Sequence, residues 1–192
     1  MVIADNLIFR RFTLGFARIN GYLLAERESR QGVFIDPGGY NDLVASFIEE
    51  HQIELRHIFF THGHIDHMAG LEEFRRRYAV RCCAGKEEVR AASRILHGGE
   101  RIELAGFNFT ALSTAGHTPG GISYYCRKVG VFTGDALFSG SVGGTGSALE
   151  GQLQLEQVRR NIFSLPDETL VFPGHGPLTT VAAERYGNPF FS

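Results

Sequence analysis

The sequence predicts an α/β fold in which two β-sheets pack against each other and helices cover their outer faces. Strand-like apolar runs come in groups with helical patterns between them, and each half of the chain supplies strands plus about two helices. With 192 residues, 43% of them hydrophobic and 21% charged, the chain has the size and composition of one globular domain spanning residues 1–192.

In the first half, short alternating apolar stretches at 2–19 are followed by strand patterns and by helical spacing. Apolar residues at i, i+3 and i+4 predict helices at 43–51 and 71–78, because this spacing places them on one helix face. The charged stretch at 86–93 is expected to form a short third helix. The predicted strands are residues 21–25, 32–36, 58–60 and 80–83.

The second half repeats this alternation of strands and helices. Helical patterns occupy residues 153–163, with a mixed charged face, and residues 179–186. Residues 122–126 and 129–133 predict a hairpin, because two apolar runs are joined by a short turn. The remaining predicted strands are residues 102–104, 107–112 and 170–172.

Charge and cysteine content limit the class of protein. The net charge of −2 gives no basic surface for nucleic acid. The apolar runs are far shorter than the ~20 residues that cross a bilayer. Three cysteines, of which Cys82 and Cys83 are adjacent, do not make a disulfide framework and favour a reducing compartment. We therefore expect a cytoplasmic protein without nucleic-acid or membrane partners.

The strongest signal is the segment at 61–67, which reads THGHIDH and directly follows a predicted buried strand. Imidazole and carboxylate are usual ligands of zinc, iron and manganese. Gly63 lets the loop turn sharply between two imidazoles. The segment therefore predicts a metal site at a strand end, with these candidate ligands: His62, His64, Asp66 and His67.

Three further candidates, His117, Asp135 and His175, share one local arrangement. Each follows an apolar strand-like run, and each has a glycine directly before it. Taken alone, each would more often be a turn residue. The repetition predicts strand ends that converge on one edge of the molecule, which would bring these side chains to the motif at 61–67.

Together the candidates supply seven donors, five histidines and two aspartates. One four-coordinate metal would leave three of these donors unused, whereas two metals that share one carboxylate use all of them. Two divalent metal ions are therefore expected. Zinc is the first expectation, and iron and manganese are the alternatives that suit the same nitrogen and oxygen donors.

These residues resemble the metallo-β-lactamase superfamily of binuclear metallohydrolases. The motif at 61–67, followed in order by His117, Asp135 and His175, matches all seven ligand positions of that family. Within the family the chain looks most like the short glyoxalase II-type (hydroxyacylglutathione hydrolase-like) enzymes. The resemblance implies a four-layer αββα sandwich with the site at the edge between the two sheets.

The resemblance also implies a ligand assignment and a reaction. Each metal would take three ligands and the two metals would share a bridging carboxylate: His62, His64 and His117 for one, Asp66, His67 and His175 for the other, and Asp135 as the bridge. A hydroxide bridging the metals would attack an acyl carbon, and Asp66 would orient it. The expected function is hydrolysis of a small-molecule thioester or related acyl substrate.

The loop after the bridging aspartate departs from the family pattern. Short glyoxalase II-type proteins and persulfide dioxygenases often carry Gly-Arg-Thr-Asp there, whereas this chain reads Gly-Gly-Thr-Gly at 143–146. No Lys or Arg lies between Lys128 and Arg159, so this stretch offers no cation for the carboxylates of glutathione. Three nearby residues are expected to border the substrate pocket: Phe138, Ser139 and Ser141.

Other functions are compatible with the same ligands. A persulfide dioxygenase would hold a single iron on His62, His117 and Asp135, although the altered loop counts modestly against it. A lactonase would use the full ligand set, and a non-catalytic metal-binding protein is disfavoured by seven intact ligands. A zinc β-lactamase is disfavoured because those enzymes usually have cysteine where Asp135 stands, and a nuclease because the chain lacks a basic surface.

Overall fold

The computed structural model describes residues 6–90 and 92–192, which form two six-stranded sheets. In both sheets the strands lie side by side in the order in which they occur along the chain. The first sheet contains β1 (Leu7–Leu14), β2 (Ile19–Glu26), β3 (Gln31–Ile35), β4 (Glu54–Phe59), β5 (Arg81–Gly85) and β6 (Arg94–Leu96). The second contains β7 (Arg101–Leu104), β8 (Phe107–Ser113), β9 (Ile122–Cys126), β10 (Gly130–Gly134), β11 (Leu170–Pro173) and β12 (Thr179–Thr180).

Both sheets are mixed. Strands β1 to β3 pair antiparallel and β3 to β6 pair parallel, while in the second sheet only the β10–β11 pair is parallel. Parallel neighbours need a crossover connection, which is usually helical. The crossover helices are α1 (Asp42–Glu50) after β3, α2 (Ile65–Met68) and α3 (Leu71–Arg77) after β4, and α4 (Ala148–Gln157) after β10. Helix α5 (Val181–Gly187) follows β12.

Side-chain caps fix where three of these helices begin. Asn41, Ser147 and Thr180 accept hydrogen bonds from the third backbone N–H that follows them, at the starts of α1, α4 and α5. Helix α4 continues directly into a π-helical turn, Val158–Ile162, which extends it towards the second sheet's outer face. The helix predicted at 153–163 is therefore present, but it begins earlier, after Ser147.

Three hydrophobic clusters separate four layers and confirm the predicted αββα sandwich. The cluster between the sheets includes Tyr22, Phe59, Phe109, Phe132 and Phe172. The cluster between the first sheet and its helices includes Val44, Ile48, Leu71 and Phe74. The cluster behind the second sheet includes Val158, Ile162 and Val181. The carboxyl-terminal parts of the central strands of the first sheet are buried on both faces, so residues 33–35 of β3 and 58–59 of β4 are continuously apolar instead of alternating.

The prediction of a helix at 86–93 is wrong for the described part of that stretch, which forms turns. Glu87 has a φ of 67°, a left-handed conformation that an α-helix does not contain. The short elements β6, β12 and α2 were not predicted, because a few residues carry too little periodicity. Residues 2–5 of the alternating stretch at 2–19, and residue 91, lie outside the described residues.

Hydrogen bonds join the two sheets along the edge where β4 and β11 end. The backbone N–H of Asn20 donates to the carbonyl of Gly174 at 2.7 Å, and that of Ile122 donates to Thr61 at 2.9 Å. The hydroxyl of Tyr22 donates to the carbonyl of Pro173 at 2.7 Å. These bonds fix the relative position of segments from opposite sheets, which is what a site built from both sheets requires.

Among the helices of the described residues, none has both the length and the apolar content needed to span a membrane.

Candidate metal centre

The motif at 61–67 occupies the connection between β4 and α3 and presents its side chains at different depths. His62 and His67 are buried, Asp66 is half-buried and His64 is exposed. Gly63 can only be glycine here, because a Cβ would lie 2.1 Å from the backbone oxygen of Glu88. The segment after the predicted strand therefore carries four donors that range from buried to exposed.

The first cluster of donors consists of His62, His64 and His117. Their nearest ring nitrogens lie within 4.8 Å of one another. His64 Nδ1 and His117 Nε2 are 3.0 Å apart, and the ring centroids of His62 and His117 are 5.0 Å apart. The His117 Nδ1–H donates to the Gly144 carbonyl at 2.6 Å, so its Nε2 lone pair is free to point at a metal.

The second cluster consists of Asp66, His67 and His175, again within 4.8 Å of one another. His175 Nε2 lies 3.4 Å from Asp66 Oδ2, and His67 Nε2 lies 4.0 Å from the same oxygen. The three side chains come from both sheets, since Asp66 and His67 follow β4 and His175 follows β11. Of the three groups among the described residues that could hold a metal, these two coincide with the ligand sets that the resemblance implied, and the third is Asp36 with His62 and His67.

Asp135 lies between the two clusters, immediately after β10. Its Oδ2 is 3.7 Å from His117 Nε2 in the first cluster and 3.6 Å from His175 Nε2 in the second. Its Oδ1 is 3.3 Å from His67 Nε2. The carboxylate thus faces both clusters, as a bridging ligand must, and all seven predicted donors meet at one edge of the sandwich.

Unpartnered buried atoms show that this site suits metal ions. Among the described residues, six buried side-chain nitrogen or oxygen atoms make no hydrogen bond, and three of them belong to this site: His62 Nε2, and the pair His67 Nε2 and Asp135 Oδ1, which face each other at 3.3 Å. Buried polar atoms without partners are costly in a folded protein. Here they converge with further imidazole and carboxylate donors, which is the donor set that divalent metals prefer. The residues present therefore fit divalent metal ions.

Asp36, which the sequence prediction did not assign to the site, orients two of the histidines. Its Oδ2 accepts from His67 Nδ1 at 3.0 Å and from the Thr61 hydroxyl at 2.6 Å, and its Oδ1 accepts from the Thr61 backbone N–H at 2.8 Å. Thr61 Oγ1 in turn accepts a hydrogen bond from His62 Nδ1–H at 3.1 Å, because its own hydroxyl hydrogen is donated to Asp36. Both histidines are thereby turned so that Nε2 faces the metal site.

Asp36 also adopts an unusual backbone conformation, with a φ of 49°. Non-glycine residues rarely occupy this left-handed region, although Asp tolerates it better than most. The available sequence signal was an aspartate placed between a strand and Pro37-Gly38, a pattern that also occurs in ordinary turns. The spatial neighbour His67 is 31 positions away along the chain, so spacing alone could not reveal the pair.

The buried charges shift one another's pKa values in the metal-free protein. Burial favours neutral His67, but the carboxylates of Asp36 and Asp135 outweigh it and raise the pKa of His67 to about 10. Burial would raise the pKa of Asp135, yet its contact with His67 lowers that pKa to about 2. Burial, followed by the charge on His67, lowers the pKa of His62 to about 2. In the metal-free protein these shifts favour a protonated His67, an ionised Asp135 and a neutral His62.

Two glycines let the backbone pass close to these ligands. A Cβ on Gly174 would lie 2.3 Å from Asp135 Oδ1 and 2.6 Å from His67 Cε1. A Cβ on Gly143 would lie 2.2 Å from the backbone oxygen of Asp135 and 2.8 Å from His117 Nδ1. The glycines at these two positions are therefore needed to make room for the ligands.

The segment expected to border a substrate pocket forms a tight turn beside the second cluster. Phe138 and Ser141 form a β-bridge, and the Phe138 ring lies edge-on to His175 with centroids 6.0 Å apart. Ser139 is exposed at the tip of this turn. The buried carboxylate of Glu184 accepts a hydrogen bond from Gly140 N–H at 2.9 Å, which anchors the turn to α5.

Comparison with known proteins identifies relatives of this chain. The family described as the metallo-beta-lactamase superfamily matches residues 14–175. The probable metallo-hydrolase YqgX of Bacillus subtilis is 29% identical, over 96% of this chain and 97% of its own length. The hydroxyacylglutathione hydrolase GloC of Haemophilus influenzae is also 29% identical, over 86% of this chain and 89% of its own.

Solved structures give the same result. The B3 metallo-beta-lactamase BLEG-1 has a TM-score of 0.88 at 28% identity, over 96% of this chain and all (100%) of its own. ETHE1 from Myxococcus xanthus has a TM-score of 0.84 at 30% identity, over 95% of this chain and 83% of its own length. TTHA1623, solved in a di-iron-bound form, has a TM-score of 0.78 at 28% identity, over 94% of this chain and 99% of its own length. With its two facing sheets and its seven converging donors, the chain belongs to the metallo-β-lactamase superfamily.

Proposed function

We propose that this chain is a binuclear metal-dependent hydrolase that cleaves a thioester or related acyl substrate. The observation that carries the proposal is the position of Asp135, whose Oδ2 lies 3.7 Å from His117 Nε2 and 3.6 Å from His175 Nε2. One carboxylate facing two clusters of three donors is the arrangement that suits two neighbouring metals. Zinc is the metal we expect first, and iron is supported by the di-iron form of TTHA1623.

The depth of the donors indicates where substrate would approach. His62 and His67 form the buried floor, whereas His64 is exposed and Asp66 and His175 are half-buried. Divalent ions bound at such a centre supply Lewis acidity that activates a water molecule and polarises an acyl carbonyl. A substrate carbonyl would therefore enter from the His64 and His175 side, above the buried histidines.

Asp66 is the residue that we assign to proton handling. Its carboxylate is partly accessible, with 22% of the side chain exposed, and lies 3.4 Å from His175 Nε2. A carboxylate in this position can accept a hydrogen bond from the attacking water and so orient it towards the acyl carbon. It can then hold the proton at Oδ1, the oxygen that does not face the cluster, while the leaving group departs. A thiolate needs little help from an acid, because the pKa of a thiol is only ~8.5.

The turn at 138–141 supplies the expected wall of the substrate pocket. Phe138 offers an apolar ring beside His175, and Ser139 and Ser141 offer hydroxyl groups. The stretch from 129 to 158 contains no Lys or Arg, so this wall is suited to an uncharged acyl or thiol group. The relative GloC is a hydroxyacylglutathione hydrolase, which supports the thioester class.

The test measures metal content and turnover together. Protein purified without added metal is analysed for bound metals, then assayed for thiol release from a panel of acyl-glutathione and simple acyl thioesters, with lactones and a β-lactam included. Two divalent ions per chain and thiol release support the proposal. Metal binding without turnover of any acyl substrate would contradict it, and hydrolysis confined to lactones or the β-lactam would reassign the substrate class.

A mononuclear-iron persulfide dioxygenase is the second candidate. It is favoured by the 30% identity to ETHE1 and by the contact of His117 with Asp135, since His62, His117 and Asp135 could form a two-histidine, one-carboxylate iron site. An oxygen electrode distinguishes this activity. Persulfide-dependent oxygen uptake by protein that holds a single iron, with no thiol release, would replace the hydrolase proposal.

We also propose a reducing compartment, the cytoplasm, for this protein. Cys82, Cys83 and Cys126 are all buried and unpaired. Unpaired thiols are typical of reducing compartments. Fractionation of source cells, with detection by antibody, tests the assignment.

A further inference from the structure

Glu88 lies in the turn after β5 and holds together the two loops that carry the first cluster of donors. One oxygen, Oε2, accepts the backbone N–H of Gly63 at 2.7 Å, and the other, Oε1, accepts the backbone N–H of Gly120 at 2.6 Å. Gly63 lies between His62 and His64, and Gly120 lies three residues after His117. A single carboxylate thus joins the loop of two ligands to the loop of the third.

The backbone segments around Glu88 approach one another so closely that three glycines have no room for a Cβ. A Cβ on Gly120 would lie 2.0 Å from the backbone oxygen of Lys86, and a Cβ on Gly85 would lie 1.8 Å from the backbone oxygen of Gly120. A Cβ on Gly63 would lie 2.1 Å from the backbone oxygen of Glu88 itself. The turn and the two ligand loops are therefore in direct backbone contact, and Glu88 occupies their junction.

Glu88 is not itself placed as a metal ligand. Both of its carboxylate oxygens are used by backbone N–H groups, and it belongs to none of the donor clusters among the described residues. Its bonds end on the segments of His62, His64 and His117. Neither bond reaches the residues of the second cluster, although Asp66 and His67 continue from the same loop.

We infer that Glu88 is a positioning residue for the first metal site: it sets the distance between the loop of His62 and His64 and the loop of His117. Hydrogen bonds from a charged acceptor to backbone N–H groups are among the stronger ones in proteins. Loss of residues that orient metal ligands typically weakens metal binding about 10- to 100-fold. Without Glu88, metal binding would also have to bring the two loops to the correct distance, which lowers the metal affinity of the first site. The second site would keep its affinity.

The experiment compares Glu88→Gln in two backgrounds that each keep one of the two proposed ligand sets intact and interrupt the other. His175→Ala keeps the cluster of His62, His64 and His117, whereas His64→Ala keeps the cluster of Asp66, His67 and His175. Metal-free protein is titrated with Co²⁺, followed by visible absorption and by competition with a chelator. The control is Glu87→Gln, because Glu87 is adjacent, 74% exposed and forms an ion pair with the equally exposed Lys86. Glutamine keeps the size of the side chain but places an NH₂ group against one of the two N–H donors.

We expect Glu88→Gln to weaken Co²⁺ binding about 10- to 100-fold in the His175→Ala background and less than about 3-fold in the His64→Ala background. Glu87→Gln should change neither. Equal weakening in both backgrounds would show general support of the fold and would overturn the inference, as would unchanged affinity in both. Circular dichroism of the metal-free variants verifies that they are folded. Since no substrate is used, the result is independent of the proposed hydrolase activity.

Discussion

The carboxylate of Asp36 accepts a hydrogen bond from His67 Nδ1 at 3.0 Å, and both side chains are buried. Replacing Asp36 by Asn removes the negative charge and turns an NH₂ group towards either His67 or Thr61. We expect Asp36→Asn to lower the free energy of unfolding of the metal-free protein by about 3 kcal/mol, because breaking a buried ion pair costs roughly 3–5 kcal/mol.

Urea unfolding followed by circular dichroism measures this loss. Asp42→Asn is the matched control, since Asp42 is exposed in the first turn of α1 and contributes only about 0.3–1 kcal/mol through the helix dipole. If the two variants lose the same amount of stability, Asp36 does not stabilise protonated His67.

Metal binding should depend on pH through His67. Because Asp36 and Asp135 outweigh burial and raise the pKa of His67 to about 10, the metal-free protein carries a proton on this ring that a metal must displace. The affinity of the second cluster should therefore increase about tenfold per pH unit between pH 7 and 9, the slope for one released proton.

Chelator competition at several pH values, corrected for the chelator's own protonation, measures that slope. Asp36→Asn removes one of the two carboxylates that raise the pKa of His67, so its slope should be shallower over the same range. A wild-type affinity that does not change between pH 7 and 9 would contradict the assignment of the proton to His67.

Asp135→Ala should remove metal and activity together, because the carboxylate faces both clusters. We expect less than one metal per chain and turnover about 10- to 100-fold or more below wild type, because losing a residue that only orients a metal ligand already costs about 10- to 100-fold. Glu103→Ala, at an exposed position of β7, controls for the loss of a carboxylate. Elemental analysis and the thiol-release assay give the two values. An Asp135→Ala protein with full activity would disprove the ligand assignment.

Gly174→Ala should disturb the centre by steric contact alone. The added Cβ would lie 2.3 Å from Asp135 Oδ1 and 2.6 Å from His67 Cε1, so at least one ligand must move. We expect the affinity for metal to fall at least tenfold, whereas Gly187→Ala, where nothing lies within 4 Å, should leave it unchanged. Co²⁺ titration of both variants compares them. Equal affinities would mean that the ligands tolerate the displacement.

The convergence of the seven candidate donors could be predicted from the sequence because their chemistry is concentrated in it. Four donors stand together at 61–67, and His117, Asp135 and His175 each follow a strand and a glycine. A residue that directly follows a strand lies at an edge of the sheet, so its approximate place in the fold can be predicted from the sequence. The structure places all seven together, and the hydrogen bonds at Nδ1 of His62, His67 and His117 add that Nε2 of these three rings faces the site.

The supporting residues could not be predicted, because their roles depend on contacts between distant segments. Asp36 acts on a residue 31 positions away, and Glu88 joins glycines 25 positions before it and 32 after it. The charged composition of residues 86–93 favoured a helix, yet the left-handed Glu87 and the two bonds of Glu88 give turns there instead. Tertiary contacts outweighed local propensity in this segment.

The division of strands between the sheets bears on how the protein is made. Residues 7–96 supply every strand of the first sheet and residues 101–180 every strand of the second, so a ribosome completes one sheet before it begins the other. His62, His64, Asp66 and His67 consequently emerge, and can meet metal ions, before the residues that complete either cluster have been synthesised. Ions captured by the nascent chain would be held incompletely until the second half folds onto the first. Neither ligand set is therefore complete until strands of the second sheet have been synthesised.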